Sequence, residues 1–304
     1  MAELYGYFQT KDNLSIRYAR FSPYPSPPVS TVVLLGGRAE FIEKHEETIK
    51  ELNARQLLVY TFDWRGQGLS GRMLANPHKG YIDSFISYLD DLKYFLQRIV
   101  LPNAVLPIII LAHSMGGHMA LRHLSATPTK ISGAVLVSPM IDICAKPWPY
   151  ALVRWLVKIA IRANQSENYI IGAGDYNPAE KPFKNNLLTS DRERFMDEHR
   201  KISDNPLLAL GGATFGWLSS AFESIDMIFS SRNWDQINIP VLMVGGEKDR
   251  VISVPAMRRM CQHLPDCRCV IIKAARHEIL KETDLIRWQF WQEFDRFIQK
   301  ILQN

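Results

Sequence analysis

Short, fully apolar runs recur along this chain with amphipathic stretches between them, and their alternation predicts most of the fold. Segments 31–35, 57–62, 107–111, 133–138, 239–244 and 269–272 read as strands. They lack an alternating polar face, so both sides must be covered, as in a parallel sheet. Between them, segments 42–54, 84–100, 115–125, 254–263 and 284–301 repeat apolar residues at helical spacing. Strands alternating with such helices define an α/β protein with a mostly parallel central sheet flanked by helices. Ahead of this pattern, segments 6–9 and 14–20 flank the turn-forming residues 10–13 and read as a hairpin. Pro23, Pro25, Pro27 and Pro28 make the next stretch a connection, because they permit neither helix nor central strand.

The alternation stops at Pro139, and from there to about Trp234 no buried strand is evident among helical stretches, prolines and glycines. An inserted helical cap is therefore expected over 139–235, with the catalytic domain built from 1–138 and 236–304. The most apolar part of the insertion, 148–161, is too short and too charged to span a bilayer. Arg154, Lys158 and Arg162 recur every four residues and share a helix face, which leaves Trp148, Leu152, Trp155, Leu156 and Ile159 around the remainder. Such a helix either covers an apolar pocket with its cations in water or lies on a membrane surface. Trp148 and Trp155 are candidates for substrate contact.

Composition narrows the class without changing the fold. A chain of 304 residues with 47% hydrophobic and 22% charged residues is an ordinary globular protein. The net charge of +5 is mild, and no basic block or aromatic stripe points to nucleic acid. Cys261, Cys267 and Cys269 lie close to His263, but their spacing fits no zinc site, so no metal is expected. Cys267 and Cys269 read as small apolar residues on one strand face. Free thiols, with no charged and apolar leader in the first ten residues, make a cytoplasmic location the expectation, extended by peripheral association with the inner membrane face.

The candidate chemistry centres on Ile110-Leu-Ala-His-Ser-Met-Gly-Gly117, which joins an apolar strand to a helical pattern. Ser114 falls at the sharp turn between them, where a nucleophilic serine sits in a strand–elbow–helix unit. Such a turn tolerates only small residues two positions before and after the nucleophile, and Ala112 and Gly116 occupy those places. A serine hydroxyl needs a base, and an imidazole serves best when a carboxylate orients it. Asp249 follows the strand 239–244 and His277 follows the strand 269–272, so both stand at the carboxyl ends of late strands. Glu247 is the rival acid. The developing oxyanion needs backbone donors, for which Met115, after the nucleophile, and Arg38, after the Gly36-Gly37 pair, are the candidates. His113 is assigned to packing or substrate contact. No cofactor is required.

With these residues in place, the chain resembles the serine α/β-hydrolases of the lysophospholipase and monoacylglycerol lipase branch. The resemblance is carried by Gly36-Gly-Arg-Ala-Glu40, by Phe62-Asp-Trp-Arg-Gly-Gln-Gly-Leu-Ser-Gly-Arg72, by the elbow and by Arg276-His-Glu-Ile-Leu280. The elbow and the last segment are similar to bacterial lysophospholipases in particular. Where monoacylglycerol lipases begin the oxyanion loop with His-Gly, this chain has Gly36. The resemblance implies cleavage of the carboxylic ester of a lipid with one acyl chain through an acyl-enzyme on Ser114, and it implies a structural role for 63–70. It covers the cap poorly. An apolar cap would shelter the acyl chain, and its cations would meet a phosphate headgroup. A short-chain carboxylesterase, a thioesterase or an acyltransferase of the same fold shares every catalytic residue. A dehalogenase or epoxide hydrolase does not, because its nucleophile would be aspartate.

Overall fold

A computed structural model describes residues 2–126, 130–144, 148–180, 182–230 and 234–303. Its centre is an eight-stranded sheet in the order β1-β2-β4-β3-β5-β6-β7-β8. The strands are β1 (Ala2–Gln9), β2 (Ser15–Ser22), β3 (Ser30–Leu35), β4 (Leu57–Phe62), β5 (Ile108–His113), β6 (Ile131–Val137), β7 (Val241–Gly246) and β8 (Cys267–Ile272). β1 and β2 form the expected hairpin and join antiparallel to β4, and every other pairing is parallel.

The apolar runs form strands because helices cover both of their faces. Along β5, Ile109 and Leu111 face α1 (Glu46–Ala54) and α8 (Asp284–Leu302). Ile108 and Ile110 face the opposite layer of α2 (Phe85–Tyr94), α3 (Met115–Ala126) and α7 (Val254–Gln262). All six residues of β3, β4, β5 and β7 are buried, at about 2 kcal/mol for each large aliphatic side chain removed from water. The helix expected over 42–54 opens with a 3-10 turn at Ile42–His45, whose first N–H donates to Asp63 Oδ1 at 2.9 Å. The helix expected over 84–100 is capped by Ser84 and ends in a wider π-helical turn at Phe95–Val100.

Between β6 and β7 the chain leaves the sheet and forms α4 (Tyr150–Arg162), α5 (Arg192–Asp204) and α6 (Phe215–Ser230). This segment rests on loops at the carboxyl ends of the strands. Glu278 N–H donates to the Leu188 carbonyl at 2.8 Å, Arg276 reaches the Asn186 and Thr189 carbonyls, and Gly80 pairs with Ala213.

The expectation of free thiols is corrected at one pair. Cys267 and Cys269 share a face of β8, but Cys267 is joined by a disulfide to Cys261 of α7, with Cα atoms 5.4 Å apart. The turn from α7 into β8 brings the two together. Cys144 and Cys269 are free. With this pair joined, the cysteines do not point to a reducing compartment. Among the described residues no helix is long and apolar enough to cross a membrane.

Candidate active site

β5 ends at His113 and α3 begins at Met115, so the whole reversal falls on Ser114. Its φ of +50° lies in the left-handed region, a conformation that persists only where neighbours hold it. They do so on both sides. Ser114 N–H donates to the Val137 carbonyl at 3.0 Å, and its own carbonyl accepts from Met140 at 2.9 Å and His118 at 3.1 Å. Ala112 is fully buried in β5.

The loop after β8 carries His277 to this elbow. The Ser114 hydroxyl lies 3.0 Å from His277 Nε2, and His277 Nδ1 lies 2.8 Å from Asp249 Oδ2. The network assigns the tautomer: Ser114 donates to Nε2, and Nδ1–H donates to the carboxylate. Asp249 is fixed in turn, because its Oδ1 accepts the N–H groups of Val251 at 2.8 Å and Ile252 at 3.1 Å. Burial alone would raise the Asp249 pKa, but His277 and these backbone donors outweigh it and hold the carboxyl below its usual value. Glu247, the rival acid, is exposed and accepts the N–H of Ala274 at 3.0 Å instead. Ser114 is 8% exposed and His277 3%, so the relay is largely screened from water.

Arg38 and Met115 supply the two candidate oxyanion donors. Met115 opens α3, and its N–H therefore has no acceptor within the helix. The loop after β3 runs close enough to the elbow that a Cβ on Gly37 would stand 3.1 Å from Ser114 Cβ. Trp64 Nε1 donates to the Gly36 carbonyl at 2.8 Å, Ala39 N–H donates to Gln67 at 2.6 Å, and Gly37 N–H donates to Glu40. With its neighbours on both sides taken, the Arg38 N–H has no acceptor among the described residues. The Arg38 side chain turns away to the Gly211 carbonyl at 2.9 Å and lies over the Trp217 ring. Burial pulls its pKa down to about 10.

Trp64, Gln67 and Glu40 carry no signal in the sequence as site residues, although the first two fall in the 63–70 loop whose role is expected to be structural. That loop is indeed internally bonded, with Asp63 accepting from Leu69 and Ser70 Oγ donating to the Asp63 carbonyl. It also braces the loop of the candidate oxyanion donor, through Trp64 to Gly36 and Gln67 to Ala39. His113 is buried, with Nδ1 3.1 Å from Glu40 and Nε2 3.3 Å from the His277 carbonyl. Both ring nitrogens therefore have protein partners.

Trp148, just before α4, and Trp155, within it, are exposed side chains. They are 65% and 57% exposed, and with Leu152 and Ile159 they form an outward apolar stripe, while Val153, Val157 and Ile161 pack inward. The helix has two apolar faces, which is why its wheel misleads. Arg154 is not a free cation, because both of its terminal nitrogens bond Asp226 of α6. Lys158 and Arg162 remain exposed.

The parallel sheet, the elbow and the Ser–His–Asp geometry define an α/β-hydrolase. The chain belongs to the family described as "Serine aminopeptidase, S33", whose sequence model matches residues 26–284. It is 32% identical over 288 residues to lysophospholipase L2 of Escherichia coli strain K12, covering 92% of this chain and 83% of that relative. It is 30% identical over 293 residues to a probable lysophospholipase L2 of Haemophilus influenzae, covering 96% and 91%. Among solved structures, a monoglyceride lipase from Saccharomyces cerevisiae superposes with a TM-score of 0.77 at 18% identity, covering 99% of this chain and 97% of that one. That likeness concerns the fold alone.

Proposed function

We propose that this protein hydrolyses the carboxylic ester of a lipid bearing a single acyl chain, with lysophospholipid as its substrate class. The observation that carries the reading is the 3.0 Å and 2.8 Å relay from Ser114 through His277 to Asp249, set beside an Arg38 backbone N–H that has no acceptor among the described residues. Ser114 Oγ adds to the ester carbonyl as His277 Nε2 takes its proton. The N–H groups of Arg38 and Met115 hold the oxyanion, and His277 returns the proton to the departing alcohol. Water, activated by the same imidazole, then releases the fatty acid. The two lysophospholipase L2 relatives support a lysophospholipid over a monoacylglycerol. Segment 139–235 acts as the cap over this centre.

The outward stripe of Trp148, Leu152, Trp155 and Ile159, flanked by Lys158 and Arg162, supports peripheral contact with an anionic membrane surface.

The test is a hydrolysis panel of lysophospholipids, monoacylglycerols and p-nitrophenyl esters of increasing chain length, run beside labelling with an organophosphonate. Turnover of single-chain lipids and labelling lost in Ser114→Ala are expected. A wild-type protein that neither turns over any ester nor takes the label overturns the reading.

A further inference from the structure

Beside the proton relay, and taking no part in it, Glu40, Lys44, His113 and Glu278 are buried together. Buried charges persist only where each one is paired or hydrogen-bonded, and here the pairing reaches both halves of the site. One Glu40 oxygen accepts the N–H of Gly37 in the oxyanion loop, and the other lies 3.1 Å from His113 Nδ1. His113 Nε2 lies 3.3 Å from the carbonyl oxygen of His277. Both ring nitrogens therefore face acceptors, an arrangement that favours a hydrogen on each. Its pKa is raised accordingly. Burial would lower it, but Glu40, helped by Glu278 and opposed by Lys44, more than offsets that effect.

Lys44 extends the cluster. Its Nζ lies 3.5 Å from Glu40 Oε1, 2.7 Å from Glu278 Oε1 and 2.7 Å from Glu198 Oε2 on α5. Glu278 follows His277 in the chain, and α5 belongs to the segment between β6 and β7. A single ammonium thus touches the oxyanion loop's anchor, the residue beside the base and the insertion.

We propose that Glu40 is a positioning residue which, through the Gly37 N–H and the His113 ring, holds the oxyanion loop and the main chain of His277 in one register. Lys44 ties that register to α5 through Glu198. The inference rests on the ester-hydrolase reading above. An oxyanion donor works across a range of distances only about 0.4 Å wide, and a misplacement of about 1 Å costs roughly a hundredfold in rate.

Substitution at position 40 separates positioning from mere charge burial. Glu40→Ala removes both acceptors. Glu40→Asp is one methylene too short to reach Gly37 and His113 together. Glu40→Gln keeps both hydrogen bonds and gives up only the attraction to Lys44, because its carbonyl accepts the Gly37 N–H while its amide donates to a neutral His113. The experiment measures kcat and KM on a p-nitrophenyl ester, melting temperature, and inhibition by a trifluoromethyl ketone whose hemiketal oxyanion occupies the same hole. Glu40→Ala and Glu40→Asp should lower kcat about a hundredfold, leave KM within about threefold and weaken the ketone by the factor lost in kcat/KM. Glu40→Gln should recover to within about tenfold of wild type. Glu198→Gln, at the more exposed end, should lower kcat and ketone affinity together by about threefold. Should Glu40→Ala fail to fold, Glu40→Asp and Glu198→Gln carry the test. Unchanged ketone affinity in the folded variants, or a Glu40→Gln as impaired as Glu40→Asp, overturns the proposal while leaving an active wild type as an ester hydrolase. An inactive wild type overturns the parent reading instead.

Discussion

A Cβ placed on Gly116 would stand 2.6 Å from the carbonyl oxygen of Gly36, the same oxygen that accepts the Trp64 indole N–H. The first turn of α3 is thus packed backbone to backbone against the loop that carries the proposed oxyanion donor Arg38, and no side-chain rotation can relieve an added methyl. Gly116→Ala should destabilise the fold by about 1–3 kcal/mol and lower kcat more than it raises KM, because the clash displaces the donors themselves. Urea denaturation and steady-state kinetics on one preparation check both. A stable, fully active variant would mean that the loop yields freely.

Asp249 and Glu247 lie two residues apart on the loop after β7, yet only Asp249 reaches His277. Asp249→Asn keeps the shape but turns a donor toward Nδ1, favouring the wrong tautomer. A loss in kcat of about four orders of magnitude is expected, with Glu247→Gln within about twofold of wild type. Equal losses in the two variants would reassign the acid.

How far this site can be read from the chain depends on which elements carry it. Segment 57–62 coincides with β4, and 115–125 falls short of α3 by one residue, because covered strands and amphipathic helices leave unmistakable periods. Ser114, Asp249 and His277 follow from the order of strand ends. Glu40 and His113 do not, because a glutamate in a short loop resembles a surface residue until the fold closes a separation of 73 residues. The outward turn of Trp155 was equally hidden, since α4 is apolar on both its inner and outer sides. The pairing of Cys261 with Cys267 depends on how α7 turns into β8, which six residues of sequence do not specify.

His118 couples α3 to α6 as a neutral imidazole. Arg122 donates to Ser224 Oγ at 2.7 Å, Ser224 donates to His118 Nε2 at 2.6 Å, and Nδ1–H donates to the Met140 carbonyl at 2.8 Å. Burial pulls its pKa down to about 3, and burial with the charge of Lys93 pulls His123 down to about 4. Above the ordinary value of 6.5, neither residue is protonated in either the folded or the unfolded chain, so their stabilising contribution is complete. As pH falls from 6.5 toward 4, the unfolded chain gains a proton at each residue while the folded one does not. Stability should then fall by about 1.4 kcal/mol per pH unit for each group. Denaturation at a series of pH values should show His118→Gln with a slope shallower by about that amount. An unchanged slope would place a charged histidine at 118.

The Cys261–Cys267 disulfide closes a loop with a sequence separation of 6, which by chain entropy corresponds to about 2 kcal/mol. Thiol titration of the unfolded, unreduced protein should count the two free residues, Cys144 and Cys269, and four after reduction. Cys261→Ala should lower the melting temperature, and reductant should lower that of wild type but not of the variant. Four thiols before reduction would place all the cysteines in the free state.

Trp155 and Ile159 lie one turn apart on the outer side of α4, next to exposed Lys158 and Arg162. An aromatic side chain moved from water into lipid contributes about 1.5–3 kcal/mol, and each cation near an anionic surface about 1 kcal/mol. Trp155→Ala should therefore weaken binding to phosphatidylglycerol-containing vesicles by about tenfold or more, at any salt concentration. Lys158→Gln with Arg162→Gln should weaken it at low salt and make little difference at high salt, where screening already removes their attraction. Hydrolysis of a water-soluble p-nitrophenyl ester should be unaffected in both variants, since neither alters the relay from Ser114 to Asp249. Vesicle sedimentation at two ionic strengths separates the two contributions. Wild-type protein that stays in the supernatant under both conditions would leave the stripe without a membrane role.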